Sequence, residues 1–295
     1  MTTDNAGPAA RDGQPGLDTQ RAKAEALRLW HQQPPILVLP NAWDAASAKV
    51  FERVGFRAIA TTSSGVAAAL GYLDGEQMSR DVMIEAVRRI VAAVNCPVTA
   101  DIEAGYGDTV EAKLATIRQV VSAGAVGINI EDSMTTESGA HRLVDVATQV
   151  ELIKAIRAAA DDWGVPVVIN ARIDVYLHGS GDAPERFAEA ARRGNAYREA
   201  GADCVFPIGL SDASAIGELV RAVAGPLNIL AGPHTPTVPE LARLGVARVS
   251  VGGGLARMAL GAVRRAAEEL AEQGTFTAIA REALSPAEFR GLFAD

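Results

Sequence analysis

Eight short runs of apolar and β-branched residues recur along the chain, and their regular spacing restricts the fold more than any other feature. They occupy 36–39, 58–61, 98–101, 127–131, 167–170, 203–206, 227–230 and 248–251. Their starts lie about 30 residues apart, the length of one βαβ unit. Ala-rich stretches separate them. Runs one, three, five and seven are entered through Pro35, Pro97, Pro166 and Pro226, and the others follow Gly55, Gly124, Gly201 and Gly245. Proline suits a strand's first residue because no ladder donor is lost. Glycine suits the left-handed position just past a helix. This two-strand period matches the alternate-strand layers inside a (β/α)8 TIM barrel.

At 295 residues the chain has room for about two domains or one large barrel. The pattern favours a single α/β barrel over 19–295, with an N-terminal helix over 19–31 and C-terminal helices closing the chain. Residues 1–18, rich in Gly, Pro, Asp and Ala, are expected to form a flexible tail. A doubly wound open sheet is the alternative fold, but it normally has fewer strands and a G-x-G-x-x-G turn, which this sequence lacks. The formal net charge of −8 argues against a nucleic-acid partner. The stretch 58–73, with Thr61, Thr62, Ser63 and Ser64, is too polar to span a bilayer. Cys96 and Cys204 form neither a CxxC nor a zinc pattern, which suggests a reducing, cytoplasmic setting.

Active residues of a TIM barrel sit at the carboxyl ends of its strands. Those ends carry Asn41, Trp43 and Asp44; then Thr62 to Gly65, with Asp74 further along; Asp101 to Asp108; Glu131, Asp132 and Ser133; Asn170, Arg172 and Asp174; and Asn228 before Gly232-Pro-His234. Four acids, Asp74, Asp101, Glu103 and Glu131, are thus expected on one rim beside a single cation, Arg172. Like charges this close resist joint ionisation. A divalent cation relieves the repulsion, and an all-oxygen set favours Mg2+ or Mn2+ over Zn2+. The alternative is four separately solvated acids on loops.

The segments Asp101-Ile-Glu103-Ala-Gly-Tyr-Gly, Asn129-Ile-Glu131-Asp132 and Asn170-Ala-Arg172-Ile-Asp174 resemble the isocitrate lyase / phosphoenolpyruvate mutase superfamily. Pro40-Asn-Ala-Trp-Asp-Ala-Ala-Ser-Ala-Lys49 and Thr62-Ser-Ser-Gly65 resemble its first two strand ends, and the likeness runs from about residue 25 to 265. It implies a Mg2+-dependent barrel acting on small 2-oxo or 2-hydroxy acids, assembled as a homodimer or homotetramer that exchanges its eighth helix. By the same resemblance, Asp101 is the direct metal ligand, and Glu103, Glu131 and Asp74 hold metal-bound waters. Ser63, Ser64 and Gly65 bind the substrate carboxylate and 2-oxo oxygen. Arg172 clamps developing charge, and Asn228 contacts substrate. Glu103 stands where the family usually has aspartate. The lyases' Lys-Lys/Arg-Cys-Gly-His segment is absent, because 132–142 is shortened and carries no cysteine. The lysine and Asn-Ser elements of the mutases are missing too.

The expected activity is carbon–carbon lyase or decarboxylase chemistry on a small 2-oxo or 2-hydroxy (di)carboxylate through a pyruvate-enolate-like intermediate. Arg172, Asp74 and His234 form the catalytic set, and Glu137 and Tyr106 are the other replacements for the lost cysteine. Phosphonopyruvate hydrolysis or phosphonomutase chemistry is one alternative, and an inactive 2-oxo-acid-binding barrel is another. The loops around 132–142 and 174–184 are expected to select the substrate's side group. Gly252 to Gly254 reads as a tight barrel-closing turn, and Arg186, Arg192, Arg193 and Arg198 as the solvated face of a helix.

Overall fold

The computed structural model describes residues 16–136 and 140–294. All eight expected strands form. Strand one comprises Leu37–Leu39 and Asn41–Ala42; the others are Ile59–Thr61, Val98–Asp101, Gly127–Glu131, Val168–Ile173, Cys204–Pro207, Asn228–Leu230 and Arg248–Ser250. They are parallel and run in chain order around a closed (β/α)8 barrel. Two seams show why it closes. Pro40 has no N–H and splits strand one, whose first half pairs with strand eight and whose second half pairs with strand two. Strands six and seven meet through a single bridge, Val205 to Leu227.

The proline and glycine pattern acts as expected. Gly55, Gly124, Gly201 and Gly245 all adopt positive φ, from 90° to 111°. Each ends a helix and turns the chain into a strand. Buried Ile, Val, Leu and Ala from strands and helices form one continuous core. Two differences from the sequence reading matter for the rim. The first helix is Leu17–Gln32 and so starts two residues early; residues 1–15 of the expected tail lie outside the described residues. Strand five continues to Ile173, which keeps Arg172 in the ladder directly opposite Glu131.

Between strand four and its helix Val146–Trp163, an antiparallel hairpin of Ser133–Thr135 and His141–Leu143 rises over the rim. The helix after strand eight, Gly254–Gln273, departs from the others. Only Ala256 of its 20 residues is buried, and Met258, Leu260 and Val263 are exposed. The helices Thr277–Glu282 and Pro286–Gly291 follow, with Phe276, Ile279 and Phe289 also exposed. Among the described residues, no helix is long and apolar enough to cross a membrane.

Candidate active site

Asp101, the last residue of strand three, is fixed from three directions. Its Oδ2 accepts from the Ser63 backbone N–H at 3.0 Å and its Oδ1 from Asn129 Nδ2 at 2.8 Å; its own N–H donates to Thr61 Oγ1 at 2.8 Å. Asn170 Nδ2 in turn donates to Asn129 Oδ1 at 2.8 Å. Inward positions of strands two to five are thereby linked side by side, as the two-residue alternation of a strand requires. Thr62 caps the helix Ser63–Leu70 and aims its first turn at the same spot. The result is a pocket of about 200 Å³ whose lining includes Ser63, Ser64, Asp74, Asp101 and Arg172.

Arg172 is held rigidly. Nε and Nη2 make a two-point contact with Asp174 at 2.6 and 2.8 Å, and Nη1 pairs with Glu131 at 2.6 Å. The fork geometry of a guanidinium is what permits this double grip. Ser133 Oγ donates to Asp174 Oδ2 at 2.8 Å, tying the hairpin to the pair. Above it His141 stacks on His178, with centroids 4.6 Å apart. Asp132 supports the group from behind. It accepts from the Asp174 backbone N–H, Tyr197 Oη and Arg193 Nη1 at 2.7–2.8 Å.

Glu103 is bent out of the strand into the left-handed region, at φ 51°, a strained setting for a non-glycine residue. The bend turns its carboxylate toward the loop after Leu70. Oε2 accepts from the N–H groups of Gly75 and Glu76 at 2.8 and 2.7 Å, and Oε1 from Tyr106 Oη at 2.9 Å. Burial, reinforced by Asp101 and Asp74, pushes Glu103 up to about 7. Burial, with Asp101 beside it, also raises Asp74. Glu131 is raised by burial against the pull of Arg172. The acids form one electrostatically coupled group, not separately solvated side chains.

The expected residues divide accordingly. Ser63, Ser64, Asp74, Asp101 and Arg172 face the pocket. Gly65 lies behind them and packs on Thr62 and Trp43, where a Cβ would come within 2.6 Å of Thr62 Cγ2. Asn228 is fully buried and exchanges hydrogen bonds with Ser250. Glu103 and Glu131 stand beside the pocket with their oxygens engaged by the loop and by Arg172. Among the described residues no three His, Cys, Asp or Glu side chains stand close enough to surround an ion.

Three expectations are corrected, and one partner is new. His234 is exposed and absent from the pocket lining, because Thr235 Oγ1 bonds both the N–H and the carbonyl of Gly232 and folds that turn outward. Arg172 is not the sole cation, since Arg248 and Arg257 also line the pocket. Arg193 is buried on Asp132 instead of solvated. Asp174 is Arg172's two-point partner, and the signal for it is alternation along strand five, which puts residues two apart on one face. Glu137 lies outside the described residues. The turn at Gly252 closes the barrel as expected, with the N–H groups of Val251 and Gly252 both donating to Asn41 Oδ1.

A (β/α)8 barrel with its polar cluster confined to the strands' carboxyl rim defines a barrel of the enzymatic kind. Residues 27–271 match the sequence model of the family described as phosphoenolpyruvate phosphomutase, and the chain belongs to that family, within the isocitrate lyase / phosphoenolpyruvate mutase superfamily. Among its relatives, the 2,3-dimethylmalate lyase of Eubacterium barkeri is 33% identical over 71% of this chain and 73% of its own. The 2-methylisocitrate lyase of Escherichia coli is 31% identical, covering 74% of both chains. A crystal structure of 2,3-dimethylmalate lyase superposes with a TM-score of 0.78 at 27% identity, covering 92% of this chain and 94% of that one.

Proposed function

We propose that this protein is a Mg2+-dependent carbon–carbon lyase or decarboxylase for a small 2-oxo or 2-hydroxy acid. One observation carries the reading: Asp101 and Arg172 face the same small pocket beside the N-terminus of the helix Ser63–Leu70. That helix end favours a carboxylate through its dipole, positive at the N-terminus. The kinship with the two lyases supports C–C chemistry.

The residues fit a hard dication. The donors are all oxygen, and Asp74 and Glu103, raised first by burial and then by the charge of Asp101, gather carboxylates around Asp101. Mg2+ commonly keeps several waters and takes only one or two carboxylates directly. Asp101 would hold Mg2+ or Mn2+, with Glu103, Glu131 and Asp74 reaching it through water. When bound, the ion supplies Lewis-acid stabilisation of negative charge beside the broken bond.

The chain's own groups do the rest. Ser63 and Ser64 orient the carboxylate. Arg172, immobilised by Asp174 and Glu131, presents fixed positive charge where the electron pair of the cleaved bond accumulates, so no reorganisation is needed at that moment. The hairpin steadies Asp174 through Ser133 and stacks His141 on His178. The exposed apolar residues of Gly254–Gln273 support a homo-oligomer in which this helix packs on a second copy.

The test is a panel of oxaloacetate, methylisocitrate, dimethylmalate and phosphonopyruvate with Mg2+, following pyruvate by NMR. Pyruvate from a C–C substrate is expected, and it should vanish with EDTA and with Arg172→Met. Phosphate release from phosphonopyruvate alone would replace the reading with P–C chemistry. Mg2+-dependent binding without product would leave a binding barrel.

A further inference from the structure

Arg248 opens strand eight and is 2% exposed. Ser250, two residues on, shares its face of the strand, and both line the pocket that holds Asp101 and Arg172. Arg248 differs from the other arginines of the interior. Arg172 is matched by Glu131 and Asp174, and Arg193 by Asp132 and Glu189. The Nε and Nη1 of Arg248 have no hydrogen-bond partner, and neither has the buried Oγ1 of Thr99, another lining residue.

No carboxylate pairs with Arg248 directly, and Asp101 acts on it only at a distance; a buried guanidinium without an ion-pair partner is costly, several kcal/mol even after relaxation. Arginine does not escape by losing its proton. Burial lowers Arg248 only to about 10, so it stays cationic at neutral pH. Replacing it by an apolar side chain would stabilise an empty barrel. The fork of donors instead matches a planar carboxylate, and the pocket of about 200 Å³ has room for about six or seven waters, about the bulk of a four-carbon diacid.

The geometry points to Arg248 as a second anion-binding group at the floor of the pocket, which takes the distal carboxylate of a short dicarboxylate while the helix Ser63–Leu70 and Arg172 hold the first. The inference rests on the reading of this pocket as an acid site, and what it adds is the residue, Arg248, that selects dicarboxylates among the expected acids. Four-carbon 2-oxo or 2-hydroxy diacids fit, and monocarboxylates such as pyruvate leave Arg248 unmatched. A buried donor left unpaired discriminates strongly against the ligand that lacks its partner.

The test uses the full-length protein with Mg2+ and low chloride. Malonate is the unreactive diacid probe and acetate the monoacid control, both measured by calorimetry on wild type, Arg248→Met and Arg248→Lys. The expected result is a loss of about 10- to 100-fold in malonate affinity for Arg248→Met, with acetate affinity changed less than about twofold. Lysine, which keeps the charge but not the fork, should lie between. Unliganded Arg248→Met should melt at or above the wild-type temperature, because a structural arginine would do the opposite. If the methionine variant does not fold, Arg248→Lys is read by the same malonate-to-acetate ratio. Equal weakening of both probes, unchanged malonate binding, or a wild type that binds malonate no better than acetate overturns the inference. Absence of turnover of any acid by the wild type defeats the functional reading, and the malonate ratio still decides Arg248.

Discussion

Arg193→Met removes the cation that faces the buried carboxylate of Asp132. In the native helix Ala183–Glu199, Arg193 Nη1 donates to Asp132 Oδ2 at 2.8 Å and to the Val144 carbonyl at 2.9 Å, and Nε donates to Glu189 at 2.7 Å. Methionine keeps helix propensity and most of the volume, so charge is the main change. Asp132, 0% exposed, would retain only Tyr197 Oη and the Asp174 N–H. Breaking one side of a buried pair costs about 3–5 kcal/mol; the two surviving donors place the expected loss near the lower end, about 3 kcal/mol. For a chain of 295 residues that lowers Tm by roughly 5 °C.

Urea unfolding followed by circular dichroism measures the loss directly. Asp132→Asn in the same chain removes the stranded charge, so the double variant should recover about 1–2 kcal/mol over the additive sum. Because Asp132 also holds the Asp174 backbone that positions Arg172, kcat/KM should fall while the native fold persists. A loss under about 0.5 kcal/mol, or strict additivity in the double variant, would refute this account of the network.

His31 supplies a pH test away from the rim. Burial holds its imidazole down to about 4, against 6.5 in the open chain. The unfolded state therefore binds the extra proton between those values. Stability from this residue is complete above pH 6.5 and is lost as pH falls toward 4, by about 3 kcal/mol; His31→Gln should flatten that part of a urea-midpoint profile. Gly65→Ala drives a methyl into Thr62 and Trp43 and should cost about 1–3 kcal/mol, measured by thermal melting. Arg172→Lys keeps the charge but loses the two-point grip on Asp174. It should lower kcat by about 10²-fold or more, with a smaller change in KM in steady-state assays.

Much of the rim was legible because strand ends in a barrel are fixed by register. Once the eight runs are aligned, Glu131 and Arg172 fall opposite each other and Asp101 falls two residues lower, level with Asn129; Asp101 and Arg172 line one pocket in the structure. The loop residue Asp74 also reaches the pocket. His234 failed because a strand end predicts a level and not the direction of the loop that follows. Arg193 failed for a related reason. On a polar helix, an arginine among glutamates reads as solvated, and nothing local shows the carboxylate of Asp132 arriving from a position 61 residues away. Arg248 reads only as the first residue of the eighth run, and its place in the pocket shows once the barrel closes around it.

The spacing of apolar runs and the placing of proline and glycine determine the barrel and the order of its strands, because hydrophobic period and backbone conformation are local properties. The pairing of charges is decided only in three dimensions. Which carboxylate Arg172 grips, which Asp132 relies on, and whether Arg248 finds any partner depend on a low-dielectric interior assembled from all eight strands, where a few ångströms settle whether two ions stabilise or strain the fold.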